Sequence, residues 1–133
     1  MDIKMLKDKL LELSKEIKPL IYETDRRGTD NLFPIEYDDN NPDELFWYQE
    51  FSGLLTHLHY INWVMDYLQK PVIHQGIIRG SEDGKYVLDG IEISGNAIFE
   101  VLETDNHTNA SYWRRTCADS RLDFGGRFAR IRG

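Results

Sequence analysis

Residues 41–71 read NPDELFWYQEFSGLLTHLHYINWVMDYLQKP, and this stretch decides how the chain divides. Asn41 is a helix-capping type, Pro42 suits the first helical position, and Asp43 and Glu44 favour the positive end of a helix. Trp47, Phe51, Leu54, Leu58, Ile61, Met65 and Leu68 then hold a heptad-like stripe. Leu45, Tyr48, Leu55 and Asn62 form a second stripe beside it, which predicts a helix buried on more than one side. Lys70-Pro71 ends the pattern, because the residue before a proline is pushed out of the helical region. A helix over 42–69 is about 40 Å long at about 1.5 Å per residue. It is the spine of the molecule.

Upstream, Ile3, Leu6, Leu10, Leu13, Ile17 and Leu20 recur at helical spacing with charged residues between them. This predicts an amphipathic helix over 2–18, which Pro19 should end or kink near Lys18. Between the helices, residues 23–41 are rich in turn formers and read as a long loop, pinned by Leu32, Phe33, Ile35 and Tyr37. Downstream of Pro71 the period changes to that of strands. The expected strands are His74–Arg79, Lys85–Leu88, Ile91–Ile93, Ala97–Glu103, Ser111–Ala118 and Phe128–Arg132, joined by tight polar turns. The sequence thus predicts an α+β chain in two regions. Residues 1–71 form a two-helix hairpin with a long connection, packed on a small antiparallel SH3-like β-barrel of five or six strands over 72–133.

Composition narrows the function classes. The apolar fraction of 41% suffices for a packed interior. No run of about 18 apolar residues is present, so no membrane partner is expected. The first residues lack the apolar block of a signal peptide, and a lone cysteine, Cys117, fits a reducing compartment; together these predict a cytoplasmic protein. The formal net charge of -7 is concentrated: residues 23–50 carry nine acids against two arginines. A phosphate backbone calls for basic surface, so this segment suits a basic protein partner instead.

Within the strand region, GIIRGSEDGKYVLDGIEISGNAIFEVL (76–102), the strand Tyr112-Trp113-Arg114-Arg115 and the ending GGRFARIR (125–132) stand in a characteristic order. Residues 76–132 resemble a small β-rich domain family of unknown function from Gram-positive bacteria and their mobile elements. The resemblance does not extend to the helical half. It implies a compact β-barrel and an origin near phages, plasmids or conjugative elements, and it carries over no functional residues.

Catalytic and metal constellations are not legible. His57 and His59 lie about 200° apart on one helix and cannot share a metal. His74 and His107 have no cysteine or paired carboxylate at ligand spacing, and Cys117 reads as a buried small hydrophobe. No phosphate loop, dinucleotide fingerprint or nucleophile elbow occurs. The chain is therefore expected to be no enzyme and to need no cofactor and no metal.

Two charged clusters remain. Asp25, Asp30, Glu36, Asp38 and Asp39 gather around Phe33 and Tyr37 in the loop, a pattern suited to an arginine- or lysine-rich protein surface. Arg114, Arg115, Arg127 and Arg130, with Arg121 and Arg132, interleave with aromatic residues and form a possible nucleic-acid face. Asp119 and Asp123 dilute that field, and lysine is absent from it. The leading expectation is an acidic, non-catalytic interaction protein that binds and inhibits a basic nucleic-acid-handling protein such as a nuclease. An anti-CRISPR inhibitor is its most concrete version. The alternatives are a nucleic-acid-binding accessory protein using the Arg-rich barrel and a homodimeric structural module pairing through the stripe at residues 3–20.

Overall fold

The structure is a computed structural model that describes residues 1–25, 32–80, 85–118 and 124–133. The chain divides into two units, Met1–Gln69 and Lys70–Gly133. The first is helical: α1 spans Ile3–Glu23 and α2 spans Pro42–Gln69.

Helix α1 starts where Asp2 accepts a 2.8 Å hydrogen bond from the Met5 amide, a side-chain cap on an otherwise unpaired donor. It does not stop at Pro19. The proline removes one amide donor, yet the next turn is fastened strongly enough to continue. The Thr24 amide and hydroxyl both donate to the Leu20 carbonyl, at 3.0 and 2.7 Å, and Ile21 is buried. Tertiary anchoring thus overrides a local penalty of about 3 kcal/mol.

The two helices run antiparallel where they meet. Lys18 Nζ donates to Asn62 Oδ1 at 3.0 Å and to Asp66 Oδ1 at 2.9 Å, while Thr24 Oγ1 lies 3.0 Å from His59 Nε2. Ser14 and Ile21 share the Lys18 face and are buried, whereas Ile3, Leu6, Leu13 and Leu20 of the expected stripe stay exposed. The buried line is displaced by one residue from the apolar stripe, because polar anchors set the rotation of the helix.

Ser14 is 1% exposed and its hydroxyl has no hydrogen-bond partner among the described residues. An unpaired buried hydroxyl costs about 1–3 kcal/mol, and alanine is the better helix former. Ser14→Ala is therefore expected to hold or raise stability by up to about 1 kcal/mol in urea unfolding. A clear loss would mean that the hydroxyl is satisfied after all.

Helix α2 begins and ends where its sequence signals stand. Asn41 Oδ1 accepts from the amides of Asp43 and Glu44, at 3.0 and 3.4 Å, and Glu44 Oε2 reaches back to the Asp38 amide at 3.2 Å. The Asn41 cap satisfies two free donors of the helix start, and Glu44 ties the preceding turn at Asp38 to the helix. In the connection, Phe33 is buried with its ring 5.3 Å from that of His59, and Tyr37 stacks on Tyr48 at 4.1 Å. Ile35 is half-buried, but Leu32 is exposed and does not pin the segment.

The second unit holds seven strands among the described residues: β1 Val72–Ile77, β2 Arg79–Gly80, β3 Tyr86–Leu88, β4 Ile91–Ile93, β5 Ile98–Thr104, β6 Ser111–Cys117 and β7 Phe128–Arg132. They pair antiparallel as two open sheets, ordered β1-β7-β5-β6 and β2-β3-β4, rather than closing into the expected barrel. The stretch expected as one strand over 74–79 is divided at Ile78. There the Ile78 amide donates to the Arg127 carbonyl and its carbonyl accepts from the Gly126 amide, both at 2.8 Å. The fully buried Ile78 is thus the corner at which the chain changes sheets.

Asp89 and Gly90 have φ of 53° and 75°, and they form the two-residue turn between β3 and β4. Asp105 Oδ1 accepts from the His107 amide at 2.7 Å, and Asn109 adopts φ 56°, which shapes the β5–β6 loop. Between the sheets Ile78, Leu88, Ile93, Phe99, Val101, Phe124 and Ala129 form the core. Phe99 meets Phe124 edge-to-face at 5.3 Å. The expected turn at Ser81–Gly84 and most of the loop from Ser120 lie outside the described residues.

Candidate interaction surfaces

Helix α2 is longer than its cover. The hydrogen bonds from Lys18 and Thr24 land on residues 59–66, so the turns before His59 face the connection instead of α1. The described residues of that connection protect one side, through Phe33 and Tyr37. The opposite side stays open: Phe46, Trp47, Phe51 and Leu54 are 53, 53, 47 and 58% exposed. Trp47 lies 5.7 Å from Phe46 and 5.5 Å from Phe51, ring centre to ring centre, so the three form one aromatic ladder.

Acidic groups flank this ladder on the helix itself, at Asp43, Glu44 and Glu50, and others stand in the connection before it. Glu36, Asp38, Asp39, Asp43, Glu44 and Glu50 are all exposed. Asp25 is exposed as well, while Asp30 lies outside the described residues. Of the two aromatic residues singled out in the loop, Phe33 is internal and Tyr37 is half-spent against Tyr48. The exposed aromatic character sits on the helix instead. Sequence periodicity placed Trp47, Phe51 and Leu54 in a buried stripe, since it cannot show how far a partner helix reaches.

The arginine-rich end is divided between two sheet faces. Strand alternation puts Arg114 level with Val101 and Arg115 level with Glu100, on opposite sides of the sheet. On one face, Glu103 Oε1 takes Arg114 Nη2 at 2.6 Å and Arg127 Nη1 at 2.8 Å, and its Oε2 accepts from the Tyr112 hydroxyl at 3.0 Å. On the other, buried Glu100 takes Arg130 Nε and Arg132 Nε, each at 2.7 Å, one on each oxygen. The Arg130 guanidinium also lies 4.0 Å from the centre of the Trp113 ring. The four arginines expected as one nucleic-acid face are therefore not brought together, and three of them are held by carboxylates. Glu100 and Glu103, which organise this end, carried no sequence signal beyond their alternation with apolar neighbours.

These contacts shift the ionisation of the Glu103 group. The hydrogen bond from Arg114 is the main cause that holds the Glu103 carboxyl down to about 2 from an ordinary 4.5. The same bond raises Arg114, and the bond to Glu103 raises the Tyr112 hydroxyl. A depressed carboxyl contributes stability that is fully present above its unfolded pKa and is lost as pH falls through the folded one. Between pH 4.5 and about 2 the protein is thus expected to lose stability more steeply than Glu103→Gln. Acid titrations of the two proteins followed by circular dichroism check this, and parallel curves would refute it.

The remaining candidates have ordinary partners. His59 pairs with Thr24, His74 Nδ1 lies 3.3 Å from Asp89 Oδ2, and Cys117 is half-buried. Among the described residues no group of three or more His, Cys, Asp or Glu could hold a metal ion, and no helix is long and apolar enough to cross a membrane. Comparison with protein-family models, with curated proteins and with solved structures finds no match for this chain.

Proposed function

We propose that this protein is a non-catalytic interaction protein that binds a basic, nucleic-acid-handling protein through the start of α2 and the acidic segment before it. The observation that carries the proposal is the exposed ladder of Phe46, Trp47 and Phe51 with exposed Asp43, Glu44 and Glu50 beside it on the helix and further exposed acids in the connection before it. Large aromatic side chains supply most of the binding energy at protein interfaces, and flanking charges select the partner and speed its approach. A nuclease or similar protein exposes the arginine and lysine surface that this chemistry fits. With the mobile-element resemblance of residues 76–132, inhibition of a CRISPR nuclease is its most concrete version. An SH3-like kinship belongs to the same proposal.

The test is affinity purification from a CRISPR-bearing bacterial host, with mass spectrometry of what is retained. A basic nuclease is expected with the native protein and not with Asp30, Glu36, Asp38 and Asp39 all replaced by their amides. Retention that survives the substitutions rules out the acidic face.

A further inference from the structure

We infer that the open side of α2 is one strand of a coiled coil whose other strand is a basic amphipathic helix of the bound protein. This rests on the interface reading above and names its partner.

The steps between Trp47, Phe51, Leu54, Leu58 and Ile61 alternate between four and three residues. That is the spacing of a coiled-coil seam, with Phe51 and Leu58 at its a positions and Trp47, Leu54 and Ile61 at d. Leu58 and Ile61 are half-buried and Met65 is buried, while Trp47, Phe51 and Leu54 are open. The seam is therefore covered from Leu58 to Met65 and open at Trp47, Phe51 and Leu54 before it and at Leu68 after it.

Area and charge together select the occupant. With about 200 Å² for each large side chain, the exposed fractions of Trp47, Phe51 and Leu54 sum to roughly 300 Å². That is a sizeable apolar patch, and about two-fifths of what one partner contributes to a stable complex. Asp43 and Glu50 occupy the g positions beside the seam, whereas Tyr48 and Leu55 at e face the covered side. Residues at g pair with the facing helix and decide which partner is accepted. Two copies of this helix in antiparallel contact would set Asp43 and Glu50 against each other, and in parallel contact would leave them opposite Tyr48 and Leu55. A helix with lysine or arginine along its seam answers both acids.

Calorimetric titration of the full chain with three 21-residue peptides tests this. One carries leucine at a and d with lysine and arginine at e and g, one scrambles that composition, and one carries glutamate at e and g. The basic heptad peptide is expected to bind in the micromolar range and the other two at least tenfold more weakly. Trp47→Ala and Phe51→Ala, checked for retained helix by circular dichroism, are each expected to weaken the basic heptad peptide at least tenfold. Equal binding of the heptad and scrambled basic peptides overturns the coiled coil and leaves the acidic interface standing. No binding of either basic peptide overturns both. Sedimentation showing a dimer without peptide, lost in Phe51→Ser, assigns the seam to a second copy and overturns the inference.

Discussion

Glu100→Gln is expected to cost about 3–5 kcal/mol, a large share of the stability of the β-rich unit. The carboxylate is 5% exposed and each oxygen accepts one guanidinium, from Arg130 and from Arg132. An amide keeps the volume but removes the charge, leaving two cations on one sheet face with Arg130 also pressed on Trp113. Removing one partner of a buried ion pair costs far more than the pair contributes over an apolar replacement. A unit of about sixty residues has roughly 3–9 kcal/mol of stability, so the loss is comparable with the whole. Urea unfolding followed by circular dichroism checks the magnitude, and a loss below about 1 kcal/mol would show that the arginines find water instead. Replacing Glu100, Arg130 and Arg132 together by leucine and methionine should recover much of the stability. That recovery would identify the cost as unpaired charge and not as lost packing.

Phe99→Ala is expected to be about as damaging, at about 3–5 kcal/mol, through a different mechanism. Phe99 is fully buried between the two sheets and meets Phe124 edge-to-face. Truncation loses the transfer energy of the ring and leaves a cavity that the paired strands cannot collapse to fill. Phe99→Leu keeps most of the volume and should cost clearly less, with the melting temperature falling by about 4–8 °C per kcal/mol. Similar losses for alanine and leucine would mean that ring geometry, and not cavity volume, sets the cost. Because Glu100 and Phe99 point to opposite sides of β5, the pair separates the energetics of the sheet's two faces.

Much of the fold was legible from local chemistry. Asn41, Pro42, Asp43 and Glu44 mark the start of α2 and Lys70-Pro71 its end, because caps and prolines act on neighbouring backbone groups. The Asp89-Gly90 hairpin was legible for the same reason: both residues tolerate positive φ. The end of α1 was not, since its last turn is kept by Thr24 against His59 and by the burial of Ile21. The corner at Ile78 was hidden too, because its amide and carbonyl are satisfied by the chain about fifty residues later.

The candidate site divides in the same manner. The heptad spacing of Trp47, Phe51 and Leu54 and the concentration of acids in residues 23–50 belong to the sequence and need no coordinates. Whether that seam is filled is a matter of tertiary overlap. Lys18 and Thr24 dock on residues 59–66 of α2, so the turns before them keep one side open. Likewise, arginine content is a property of sequence, but strand register alone put Arg114 and Arg127 on Glu103 and Arg130 and Arg132 on Glu100. Sequence by itself determined where the helices begin and where the Asp89-Gly90 hairpin turns, because those signals act over a few residues of backbone. The tertiary structure decided which apolar faces are covered and which charges are spent, because both depend on partners far along the chain.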